Sequence, residues 1–128
     1  NWGVSAPDEA TFVRGVLEGQ PEPPAYFAMM KRLNKEGPAV LGDRAPIATL
    51  DDAAATALLD AGAVLLDVRP SAEFARGHHR GAVNVPLAKS LANYAGSLLS
   101  YDVPIIIVAA DTATASAARY DLSLIGLD

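Results

Sequence analysis

Val64-Leu65-Leu66-Asp67-Val68-Arg69-Pro70-Ser71-Ala72-Glu73-Phe74 opens the stretch that decides the fold, and Gly77-His78-His79-Arg80-Gly81-Ala82-Val83-Asn84-Val85-Pro86-Leu87 closes it. Residues 64–68 are a short apolar run bounded by Gly62 and Pro70. A run of that length predicts a strand buried on both faces, the kind found in parallel sheets. Residues 71–75 predict a short helix, ended by Gly77. Residues 82–85 predict the next strand, broken at Pro86 because proline brings no N–H to a ladder.

The same alternation extends outward on both sides. Upstream, Ile47-Ala48 predicts a short first strand. Thr49-Leu50-Asp51-Asp52 caps a helix that runs to about Ala61 and stops at Gly62. Downstream, residues 88–99 predict a helix. Pro104 opens the most apolar strand, residues 105–109, and a helix over 113–124 follows, with Gly126 beyond it. Strands alternating with helices imply an α/β fold, a parallel sheet flanked by helices.

Composition changes near residue 44. The first 43 residues are punctuated by proline and predict a helical extension. Ser5 with Asp8 three residues on reads as a helix start. Phe12, Val13, Val16 and Leu17 then share one helical face, and Gly19 is a stop. Pro21-Glu22-Pro23-Pro24 predicts an extended link, because each proline restricts the residue before it. A second helix over 24–35 carries Tyr26, Phe27, Met29, Met30 and Leu33 on its apolar side. Gly37-Pro38 ends it. Two short helices around such an elbow bury little alone, so these residues, with Trp2 as an anchor, are expected to pack on another domain.

Several function classes fall away on composition. The chain of 128 residues contains no cysteine. That excludes disulfides, thiolate metal sites and persulfide chemistry on this chain, and it fits a reducing, cytoplasmic setting. Net charge is −5, and Lys and Arg form no cluster that would track a nucleic-acid backbone. No apolar run approaches the ~18 residues of a membrane span, and no secretory leader pattern is present. The first residue is Asn1, not Met, which suggests a piece of a longer protein. His78 and His79 are the only histidines, too few and too closely spaced for a zinc site.

The two opening motifs resemble the signatures of the rhodanese family, departing at His79 and Arg80, where that family usually has an apolar residue and a proline. The resemblance implies a rhodanese-like domain over 44–128. It also implies one further strand after the last helix, absent here, so that the domain is truncated at its C-terminus. Active members place a cysteine at the end of the central strand, in a loop that presents backbone N–H groups to the sulfur. The corresponding residues are Ala109, Ala110, Asp111, Thr112, Ala113, Thr114, Ala115 and Ser116. They supply no thiol, no Gly and no Arg, so no catalytic residue is expected. Asp67, Arg69, Glu73, His78 and Gly81 are expected to shape the loops beneath that position rather than to react.

Residues 20–27, Met30-Lys31-Arg32-Leu33-Asn34 and Gly37-Pro38 resemble the tail of metallo-β-lactamase-fold enzymes fused to rhodanese domains, similar to persulfide dioxygenases and glyoxalase-II-like hydrolases. So does the stretch from Asn93-Tyr94-Ala95-Gly96 to Tyr101-Asp102. The resemblance implies that residues 1–43 follow a metallo-β-lactamase domain, and that zinc or iron belongs to that upstream domain. No cofactor is expected in this chain. The expected function is a non-catalytic domain of such a fusion, structural, oligomerising or presenting sulfur substrates, with a homo-oligomer as its assembly. Two alternatives stand beside it. One is a small-anion or metabolite-binding module at a helix start. The other is a cryptic hydrolase using Asp111 or Ser116, with His78 as the base that a hydroxyl needs.

Overall fold

The computed structural model describes residues 5–24, 26–40, 42 and 45–127. Trp2 and Arg44 lie outside them. Around the deciding stretch, Val64–Asp67 forms β1, Ser71–Arg76 forms α4 and Val83–Asn84 forms β2. Upstream lie α1 (Glu9–Leu17), α2 (Tyr26–Glu36) and α3 (Asp52–Asp60). Downstream follow α5 (Leu91–Leu98), β3 (Ile105–Val108) and α6 (Thr112–Ser123). The three strands are parallel in the order β2-β1-β3. The most central strand is thus the one read first in the sequence, and it pairs Val64 with Ile105 and Leu66 with both Ile107 and Val83.

The core lies between the sheet and the α5–α6 pair. Leu66, Val68, Leu91, Ala95, Ala118 and Leu122 are all buried there. Ala95 and Ala118 are fully buried and small, which lets the two helices approach closely. Leu66, Leu91 and Leu122 supply the volume. Each such leucine stabilises the fold by about 1.5–3 kcal/mol through burial.

Four expectations need correction. The cap of α1 is Asp8, not Ser5: its carboxylate accepts the Thr11 N–H at 2.7 Å. Both residues are good caps, and an ionised acceptor makes the stronger bond. Ile47-Ala48 is not a strand, because no described strand lies beside it to form a ladder. The helix expected from residue 88 begins at Leu91, after Ser90 at φ −95°, ψ 0°. Finally, α2 lies against this chain's own body, while its Phe27 stays exposed. Met30 packs against the core, and Gly96 of α5 comes so near Tyr26 that an added Cβ would sit 2.9 Å from the Tyr26 Cβ. A Cβ at Gly126 would likewise meet Leu33 at 2.9 Å. Glycine at both places admits α2 to the body. By contrast no described residue of α1 packs on the core, and Val13, Val16 and Leu17 stay exposed.

Candidate functional site

The strands of a parallel sheet end together, and loops at their C-terminal ends are where α/β folds place ligands. Here that end is formed by Asp67 of β1, the loop from residue 77 to residue 82, and the turn from β3 into α6.

Asp67 closes β1 with a side chain of 0 % exposure. A buried carboxylate requires partners, and Arg69 provides them. Arg69 Nη2 donates to Asp67 Oδ2 at 2.6 Å, and Nε donates to Oδ1 at 3.0 Å. The Arg69 backbone N–H adds a bond to Oδ1 at 3.0 Å. This two-pronged geometry is what the guanidinium fork favours. Burial pushes the Asp67 carboxyl up, but the Arg69 bonds and charge outweigh it, with a small contribution from His78, and hold it below the usual carboxylate value. The bond to Asp67 raises Arg69 in turn, against a smaller effect of burial and with support from the charges of Asp67 and Glu73.

Arg69 also reaches outward. Its Nη2 donates to Gly77 O at 3.1 Å, which ties the end of α4 to the end of β1. His78 then folds back: its Nδ1 lies 2.9 Å from Phe74 O, and its ring stacks on Phe74 with centroids 3.8 Å apart. Gly81 has φ +82°, a left-handed conformation that a side chain would strain. Glu73 contributes charge near Arg69 rather than an ion pair.

Asn84 was not foreseen. Its Nδ2 donates to Asp67 O at 2.9 Å and to Arg69 O at 3.0 Å, so one amide clamps the backbone on both sides of Val68. The signal was present in the sequence: an amide between Val83 and Val85, in a strand otherwise apolar.

At the end of β3 the chemistry is different. Residues 109–116 do not form one loop. Ala109, Ala110 and Asp111 make the turn, and Thr112 to Ser116 already belong to α6. The Asp111 carboxylate accepts the Thr114 N–H at 2.7 Å, and that bond holds its carboxyl below the usual range. The helix start therefore has its own anion. Ser116 Oγ donates to Thr112 O at 2.8 Å, one turn back on the same helix. Asp111 and Ser116 each bond to α6 backbone, and the Nδ1 of His78 is engaged with Phe74 O. Among the described residues, no group of three His, Asp or Glu side chains is placed to hold a metal. No described helix is long and apolar enough to cross a membrane.

A family model described as a rhodanese-like domain matches residues 51–127. Among solved structures, a metallo-beta-lactamase from Staphylococcus aureus subsp. aureus COL is similar, with 30% identity and a TM-score of 0.77. That match covers 100% of this chain and 34% of the other, so this chain spans about a third of the length of that protein. No curated protein matches.

Proposed function

The chain belongs to the rhodanese-like domain family, and from that premise we propose that it works without sulfur transfer of its own, as a structural domain of a larger metallo-β-lactamase-type protein. One observation carries the proposal: the end of β3 offers Ala109, Ala110 and Asp111 where chemistry would need a thiolate and an open anion cradle. A methyl group cannot carry sulfur. A carboxylate bonded to the first turn of α6 occupies the N–H group that an anion would use, and it repels a second negative charge. Both halves of the sulfur-handling site are thereby closed.

In this proposal residues 44–128 are the rhodanese-like domain, and residues 1–43 lead into it from a metal-bearing hydrolase or persulfide dioxygenase domain. Zinc or iron would sit in that domain, since the two histidines here do not fit a metal. The likeness to a metallo-beta-lactamase along the whole chain supports this layout. The apolar residues Val13, Val16 and Leu17 of α1 form the contact with the upstream domain. Association of two copies through the same face is the alternative, and light scattering at micromolar concentration separates them. The absence of cysteine suits a cytoplasmic protein. The experiment is a turnover assay: purified chain, thiosulfate and cyanide. The expected result is thiocyanate at the background rate, and formation above background would refute the proposal.

A further inference from the structure

The chain is acidic, but its charge is not evenly spread. Residues 74–101 contain no Asp or Glu, and all 15 acidic residues lie outside that stretch. Arg76, Arg80 and Lys89 are its cations, joined by His78 and His79, and four of these five fall between residues 76 and 80. Lys89 shares a surface hollow with Asp121, so it has an acid close by. The residues between 76 and 80 differ. Residues 76–81 are all exposed. Arg69 is committed to Asp67 and Gly77 O, and Arg119 to Ala45 O at 2.7 Å. The side chains of Arg76, His79 and Arg80 have no hydrogen bond or ion pair among the described residues.

The loop that carries them is nevertheless held in place. Gly77 O accepts the Arg69 guanidinium, and His78 is fastened to Phe74 through its Nδ1 and its ring. The Ala82 N–H donates to His79 O at 3.1 Å. With Gly81 at φ +82°, that bond closes a tight turn with Arg80 at its corner. Arg76 ends α4 just before the turn. A backbone fixed in advance lowers the ordering cost of binding.

The surroundings select the partner. A small anion is best held by donors that converge in an enclosed pocket. These side chains stand exposed instead, and the Asp111 residue lines the same groove as His79. Glu73, three residues before Arg76, lends its charge to Arg69. A nucleic acid would bring a dense row of phosphates to a chain of net charge −5. A second copy in a two-fold contact through this loop would set the loop against itself, like charge on like. An acidic polypeptide fits better. Its carboxylates are spaced along a flexible chain, and each can take one guanidinium through two parallel bonds.

We propose that residues 76–81 are a docking surface for an acidic segment of a partner polypeptide, with Arg76 and Arg80 each holding a carboxylate and His79 beside them. The contact is small and electrostatic, so it is brief and salt-sensitive. It goes beyond the structural role proposed above, and the surface stands whether or not sulfur is transferred.

The probe is a peptide of Glu residues separated by Gly-Ser pairs, titrated into the 128-residue chain while its amide NMR signals are followed. At about 20 mM salt the amides of residues 76–82 should shift saturably, and the affinity should fall about tenfold by about 200 mM. Arg76→Glu combined with Arg80→Glu should weaken binding at least about tenfold. The unfolding midpoint should not move, because neither side chain has a partner to lose. Arg80→Gln alone should give an intermediate loss. Lys31→Glu combined with Lys35→Glu, on the exposed basic face of α2, should change the affinity less than about twofold. Shifts that map to α2, no saturation at millimolar peptide, or undiminished binding by the doubly reversed chain would overturn the proposal. So would tighter binding of inorganic phosphate or of a short DNA duplex at the same amides, which would mean a small-anion or nucleic-acid site.

Discussion

The ends of β1 and β3 lie side by side, yet they are built on opposite principles. At the end of β1, Asp67, Arg69 and Asn84 form a saturated network around a fully buried carboxylate. At the end of β3, Ala109 and Ala110 contribute no functional group, and Asp111 is spent on capping α6. The difference separates two demands on one fold. The β1 network holds the loops of the domain in place and is required whether or not anything reacts there. The β3 turn is required to react only in a catalyst, and in this chain its carboxylate caps α6.

This contrast breaks most readily at Arg69. Arg69→Ala strands the Asp67 carboxylate, and an unpaired buried carboxylate such as this costs about 3–5 kcal/mol. Urea unfolding at neutral pH should show a lower midpoint of that size, with an unchanged slope. The pH dependence follows from the sign of the shift. Asp67 titrates below its ordinary 3.8 in the folded chain, so its contribution is in place above that value and is lost as pH falls through the lower one. The gap between wild type and Arg69→Ala should therefore narrow below about pH 4. A gap that stays constant across that range would mean that Arg69 acts by packing alone.

A smaller effect is expected at Asn84. Asp67 O keeps a second donor, the Val85 N–H at 3.0 Å, so Asn84→Ala deprives only Arg69 O of its partner. The expected loss is about 1 kcal/mol, read from the same unfolding curves. At the β3 end, Asp111→Ala removes one exposed cap bond and should be the mildest change of the three. If it proved the most damaging, the β3 turn would be the structural centre and the comparison would reverse.

The smallest expected effect is on activity. Ala110→Cys restores sulfur but leaves Asp111 beside it, and a neighbouring negative charge raises a thiol pKa and disfavours the thiolate. The variant should stay at background in sulfur transfer, and its alkylation rate should show no depressed thiol pKa. A thiol titrating well below ~8.5 would contradict this account of the turn.

Much of this was legible in the sequence because it is local. The apolar runs around Leu66 and Ile106 announce parallel strands. The spacing of Asp67 and Arg69 puts a carboxylate and a guanidinium within reach at a strand end, and the missing cysteine is plain. What was not legible depends on neighbours. Ile47-Ala48 has the composition of a strand, but a strand exists only beside a partner. The docking of Tyr26 against Gly96 joins residues seventy positions apart, and nothing near either announces it. Asn84 became a clamp only once β2 lay in register with β1, Asp67 opposite Asn84.

The central claim is that no atom of this chain accepts sulfane sulfur. Intact-mass measurement after incubation with thiosulfate, and separately with a low-molecular-weight persulfide, tests it most directly. The account predicts an unchanged mass at every donor concentration. A gain of one sulfur atom that localises to residues 109–116, and that a reductant removes, would contradict it.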